Sequence, residues 1–145
     1  MPRQCRRPRW VSRPSLNCGG HDGPVEQGQD ARLMWNRAEP HDLRERLFGG
    51  NGAVRVWNLC GGDPRPPFGA ILACELEGGG SVGTHRQQEF AEVLVVLEGA
   101  GVAVVDGAPE ALQPGVVIQL ALGSTLSLEN GSLERPLRYV IVKAK

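Results

Sequence analysis

The chain has 145 residues, enough for one domain with its own core, and 41% of them are hydrophobic. Sixteen Lys and Arg balance sixteen Asp and Glu, so the formal net charge of zero excludes whole-molecule attraction to nucleic acid or to an anionic membrane surface. No apolar run approaches the length of a membrane span, and neither a membrane nor a nucleic acid is expected as a partner.

Residues 1–33 carry Arg3, Arg6, Arg7, Arg9 and Arg13, show no apolar periodicity, and read as an irregular or disordered tail. A nucleic-acid-binding arm is the sharper alternative for such a basic stretch. Met34 stands just before the first patterned sequence. Residues 34–53 form a lead-in segment in which HDLRERL (41–47) allows a short helical turn. From residue 54 to the end the pattern is that of β-strands. VRVWNLC (54–60) alternates and is rich in β-branched residues. FGAILACEL (68–76) follows a proline-rich loop, and EGGGSVG leads into THRQ. EVLVVLEG (92–99) and VAVVDG (102–107) are expected to pair as a hairpin. A short segment near Ala111 and Leu112 precedes VVIQL, STLSLEN and PLRYVIVKA. Eight or nine short strands, with turns every eight to twelve residues, predict an all-β sandwich or barrel.

The 20 glycines and 11 prolines fit such a fold. Gly83, Gly99, Gly107 and Gly115 stand at strand ends, where tight turns often require positive φ. The four cysteines, Cys5, Cys18, Cys60 and Cys74, include no CxxC pair. Cys60 and Cys74 read as buried thiols of a cytoplasmic protein. Trp57 is expected in the core, and Glu75 and Glu77 are expected to meet solvent.

Two motifs in this all-β stretch resemble those of the cupin superfamily. Gly79, His85, Gln87, Glu92 and Gly99 repeat the spacing of the first cupin motif, with glutamine where a second histidine usually stands. Gly115, Gly123 and Asn130 repeat that of the second, with Ala121 at its proline position and Leu126 at its histidine position. The resemblance spans about residues 50 to 145. It implies a double-stranded β-helix, or jelly-roll barrel, over 54–145, and a homodimer, since cupins commonly dimerise.

Metal-binding cupins hold their ion with three histidines and a glutamate. Strand alternation places His85 and Gln87 on one wall, both looking into the barrel. Glu92 enters from the next strand, and the distant motif-two strand offers only Leu126. His85 and Glu92 are good ligands, the Gln87 amide is a weak one, and Leu126 gives nothing. The site is therefore a degenerate metal site, with no cofactor expected beyond a weakly bound divalent ion such as Mn, Fe, Ni or Zn. A hydrogen-bonded His85–Glu92 pair could instead act as a metal-free acid–base apparatus, with Glu92 holding the imidazole in one tautomer. Metal-free cupins of similar appearance act as sugar epimerases.

The main functional expectation is a module that binds a small polar or mixed-polarity molecule in the barrel, with Gln87 and Leu126 in its wall. The alternative is a cupin enzyme, an isomerase or epimerase or a metal-dependent dioxygenase, using His85 and Glu92 catalytically. A third option is an assembly protein with a vestigial cavity. Fold does not choose among them.

Overall fold

The computed structural model describes residues 37–145. The expected tail at 1–33 lies outside the described residues. The strands are β1 (Asp42–Glu45), β2 (Ala53–Asn58), β3 (Phe68–Leu76), β4 (Ser81–Arg86), β5 (Ala91–Glu98), β6 (Gly101–Val105), β7 (Ala108–Leu112), β8 (Val117–Leu120), β9 (Thr125–Asn130) and β10 (Leu137–Ala144). One antiparallel sheet runs β1-β2-β3-β10-β5-β8 and the other β4-β9-β6-β7. The expected all-β architecture is present as two sheets facing each other across one core.

The helical turn expected over 41–47 is absent. Its place is taken by β1 and a single 3₁₀ turn at Leu47–Gly49. All four β1 side chains are exposed, so a helix here would have no apolar face to bury, and so short a helix does not stand alone in water. Pairing with β2, from Asp42↔Val56 to Glu45↔Ala53, satisfies the backbone instead. Pairing into the large sheet thus begins before residue 54.

Alternation fills the space between the sheets. On β5 the inward side chains are Glu92, Leu94 and Val96, and on β9 they are Leu126, Leu128 and Asn130. The apolar ones, Leu94, Val96, Leu126 and Leu128, pack with Val54, Cys74, Leu76, Val82, Leu137 and Tyr139 in one buried cluster. Each such side chain contributes roughly 1.5–3 kcal/mol when fully buried.

The turns follow their residues. Asp106 and Gly107 both have positive φ, 49° and 84°, as a two-residue hairpin turn of the primed type requires. The Asp106 carboxylate accepts from the Thr125 amide at 2.8 Å, which holds its pKa below the usual aspartate value. Gly99 and Gly115 also have the expected positive φ. Gly83 has another reason. It lies inside β4, not at a positive φ, and a Cβ there would overlap the Phe48 carbonyl of the 3₁₀ turn. Close approach of two backbones, not turn geometry, requires glycine at this position.

Two outer-face residues differ from expectation. Trp57 is buried but points away from the barrel interior. Its indole Nε1 donates to the Glu39 carbonyl at 3.1 Å, and its ring packs on His41. Glu75 was expected in solvent but is 8% exposed, ringed by Arg37 at 2.5 Å, Arg55 at 3.1 Å and Arg138 at 3.6 Å. Charge pairing across β2, β3 and β10 allows its burial.

Asn130 ends β9 and ties three segments together. Its Nδ2 donates to the carbonyls of Leu76, Glu77 and Arg135 at 3.2, 2.9 and 2.8 Å, and its Oδ1 accepts from the Ser132 amide. Replacing it strands buried carbonyls. Asn130→Ala is expected to lower unfolding free energy by about 3 kcal/mol, measured by urea denaturation, and a loss below about 0.5 kcal/mol would show the amide to be dispensable.

Candidate functional site

A cavity of about 520 Å³ opens between the sheets, and all four residues singled out by the motifs line it: His85, Gln87, Glu92 and Leu126. Strand register explains the gathering. His85 and Leu126 are direct cross-strand partners on β4 and β9, while Glu92 faces Lys143 across β5 and β10. The motif-two position thus sits beside the histidine, as expected, and it is a leucine only 1% exposed. Arg86 and Gln88 are exposed and also border the cavity.

The polar groups are not paired as the sequence suggested. Glu92 is committed to Lys143, whose Nζ lies 2.8 Å from Oε1, with the glutamate side chain 3% exposed. No hydrogen bond joins His85 to Glu92 among the described residues. His85 Nδ1 lies 3.0 Å from the Gly83 carbonyl. A carbonyl only accepts, so Nδ1 carries a proton, and in the neutral tautomer that this selects the bare lone pair is on Nε2. The tautomer is fixed, but by Gly83 rather than by Glu92. One face of the imidazole is covered by Phe48, stacked with ring centroids 4.0 Å apart and planes 12° from parallel.

Gln87 follows β4 and is 5% exposed. Its backbone is anchored at both ends, N–H to the Ser124 carbonyl and C=O from the Gly123 amide. Its side-chain Nε2 is buried without a hydrogen-bond partner. Leaving a buried amide donor unmade costs about 1–3 kcal/mol, which makes Gln87 the point where the cavity is unsatisfied.

Lys143 and Phe48 were not anticipated. Lys143 follows from the parity of β10, where Tyr139, Ile141 and Lys143 look inward. That parity was open in the sequence. Phe48 comes from a turn with two non-glycine residues at positive φ, Arg46 and Phe48, and nothing in FGG signals that its ring caps a histidine. Nearby, Cys74 and Tyr139 are direct cross-strand partners on β3 and β10. Burial pushes the Cys74 thiol up to about 12 and the Tyr139 phenol well above its ordinary value. A second depression, of about 470 Å³, lies beside Leu43, Arg55, Glu75 and Glu77, away from the motif residues.

No family model matches the chain, and no curated protein does. Solved structures do. A protein from Thermotoga maritima described as a predicted oxalate decarboxylase is similar at 24% identity, over 72% of this chain and 90% of that one, with a TM-score of 0.67. The fold is that of a cupin. A cupin 2 conserved barrel domain protein from Salinispora arenicola is similar at 26% identity, over 70% and 80% of the two chains, with a TM-score of 0.52. A cupin protein from Bacteroides fragilis is similar at 19% identity, over 62% and 75%, with a TM-score of 0.55.

The donor set of this cupin barrel does not fit a tightly held metal. No group of three His, Cys, Asp or Glu stands together among the described residues. The one carboxylate of the motif is already answered by an ammonium. At 2.8 Å and an effective dielectric near 20, that attraction is on the order of 6 kcal/mol before desolvation. A divalent ion would have to displace it while gaining only an imidazole and a neutral amide.

Stability at high pH reports on the buried floor. Cys74 and Tyr139 keep their protons in the folded state to higher pH than in the unfolded chain. Above about pH 9 the unfolded state therefore binds fewer protons than the native state, so unfolding free energy falls as pH rises. Urea titrations across the alkaline range are expected to show this decline, with a shallower slope in Tyr139→Phe. A flat profile would contradict it.

Proposed function

We propose that this cupin barrel binds a small mixed-polarity molecule in its central cavity without needing a metal. The observation that carries the reading is the unpartnered Gln87 Nε2 in the wall of a cavity of about 520 Å³, a size usual for small-molecule sites. The lining is mixed: Leu126, Leu128, Val82, Leu72 and Ile141 are apolar, and His85, Gln87, Glu92 and Lys143 are polar. A ligand with an apolar body and one hydrogen-bonding end suits both. A divalent ion competes with Lys143 for Glu92 and binds weakly. Catalysis by a His85–Glu92 relay finds less support, because each of the two is held by another group.

The reading is tested by an NMR screen of small metabolites. Hits are expected to perturb amides of β4, β5 and β10, to bind equally with and without a chelator, and to be lost in Ile141→Trp, which fills the cavity at a cost of about 1–3 kcal/mol. Binding that requires a metal, or that survives filling the cavity, would overturn it.

The chain is further proposed to form a homodimer. On the outer face of the large sheet, Val95 pairs with Val140, and Val93 and Ile71 both pair with Val142, making a half-buried patch of branched side chains. Such a patch favours association. Light scattering is expected to report about twice the 15.6 kDa chain mass, and a monomer at micromolar concentration would count against it.

A further inference from the structure

The cavity's polar groups, taken one by one, restrict what the ligand can be. Glu92 and Lys143 cancel each other's charge at 2.8 Å. Cys74 and Tyr139 are held neutral by burial. Arg44 and Asp42, also in the lining, pair with each other at 3.3 Å. Arg86, anchored on the Gly123 carbonyl, and Glu89 keep their charges but are exposed to solvent. An anionic ligand drawn to Lys143 meets the Glu92 carboxylate beside it. A cationic ligand drawn to Glu92 meets the Lys143 ammonium. In the buried part of the cavity either would find no counter-charge that is not already paired, and burying an unpaired charge costs far more than burying a hydrogen-bonded neutral group.

What the cavity does offer is one unsatisfied donor and one bare acceptor on the same wall. The donor is Gln87 Nε2, buried and unpartnered. The acceptor is His85 Nε2, left bare because Nδ1 donates to Gly83. The two residues lie two apart along the chain, so they start about 6–7 Å apart at the backbone. That spacing is within reach of one small molecule.

We infer that the ligand is an uncharged small molecule carrying both a carbonyl oxygen, which accepts from Gln87 Nε2, and a hydroxyl, which donates to His85 Nε2, on an apolar or aromatic body lying against Leu126. The inference rests on the proposal that the cavity is a binding site, and it names the chemical class that site selects. Lys143 sets the selectivity. By supplying the cation internally it turns a carboxylate that could recruit a charged partner into half of a neutral pair.

Three probes share a ring and a hydroxyl and differ in the second group, a neutral acetyl, an anionic carboxylate or a cationic aminomethyl: meta-hydroxyacetophenone, meta-hydroxybenzoate and meta-hydroxybenzylamine. Calorimetric titration of the full chain at neutral pH is expected to give the neutral ketone an affinity at least about tenfold above both charged probes. Gln87→Met is expected to weaken the ketone by about tenfold, the loss of one hydrogen bond, and to leave phenol itself unchanged. The ranking on the unaltered protein tests the class without any substitution. If the benzoate or the benzylamine binds tightest, the ligand class is wrong while the cavity remains a binding site. If none of the three nor phenol gives saturable heat, the binding reading fails and the inference falls with it.

Discussion

The alternation of the last strand is the constraint on which the site depends. β10 lies between β3 and β5 and is paired along its length on both sides. Its register cannot slip by one residue without turning Leu137, Tyr139, Ile141 and Lys143 out of the barrel and Arg138 into it. With Leu137 fully buried in the core and Arg138 tied to Glu75 and Glu98 on the outside, the correct parity is favoured from both faces. The same parity sets Lys143 opposite Glu92 and Tyr139 opposite Cys74. One strand therefore decides the charge balance of the cavity and the chemistry of its floor.

That charge balance changes what the cupin motif means here. A glutamate at the motif position is usually read as a metal ligand. In this chain the glutamate is buried with its own counter-ion, held by cross-strand register rather than by diffusion of an ion from solvent. Two charges buried together are only marginally favourable against apolar replacements, since desolvation opposes their attraction. In the proposed reading their effect is on specificity more than on stability, because a carboxylate paired with an ammonium holds a further cation only weakly. Leucine in place of the motif-two histidine acts in the same direction, replacing a ligand with apolar wall.

The large sheet shows how much can be buried on its outer side. Trp57 and Glu75 occupy neighbouring rows there, one under the backbone of Glu39 and the ring of His41, the other under a fan of arginines. Both rows are covered by Arg37, Glu39 and His41. The outer face is thus partly a second, thinner layer of packing, and the apolar rows beyond it belong to the valines of β5 and β10.

Alternating β pattern, glycine and proline punctuation, and the spacing of two motifs were enough to read nine of the ten described strands, the cupin barrel, and four residues of the cavity wall, but not that β5 and β6, expected as a hairpin, lie in different sheets. These are local properties: side-chain period, turn chemistry and separation along the chain. By itself the sequence also determined that the metal ligand set was short, since residue type alone tells a leucine from a histidine. β1 was missed because DLRE has neither period and is a strand only through its hydrogen bonds to β2. Which face of β10 looks inward, and therefore that Lys143 rather than His85 answers Glu92, was decided by the tertiary structure. So were the burial of Glu75, the Phe48 cap on His85 and the unmet Gln87 donor. Each depends on residues brought together from strands distant in sequence, and pairing across a sheet leaves no trace in the spacing along a single strand.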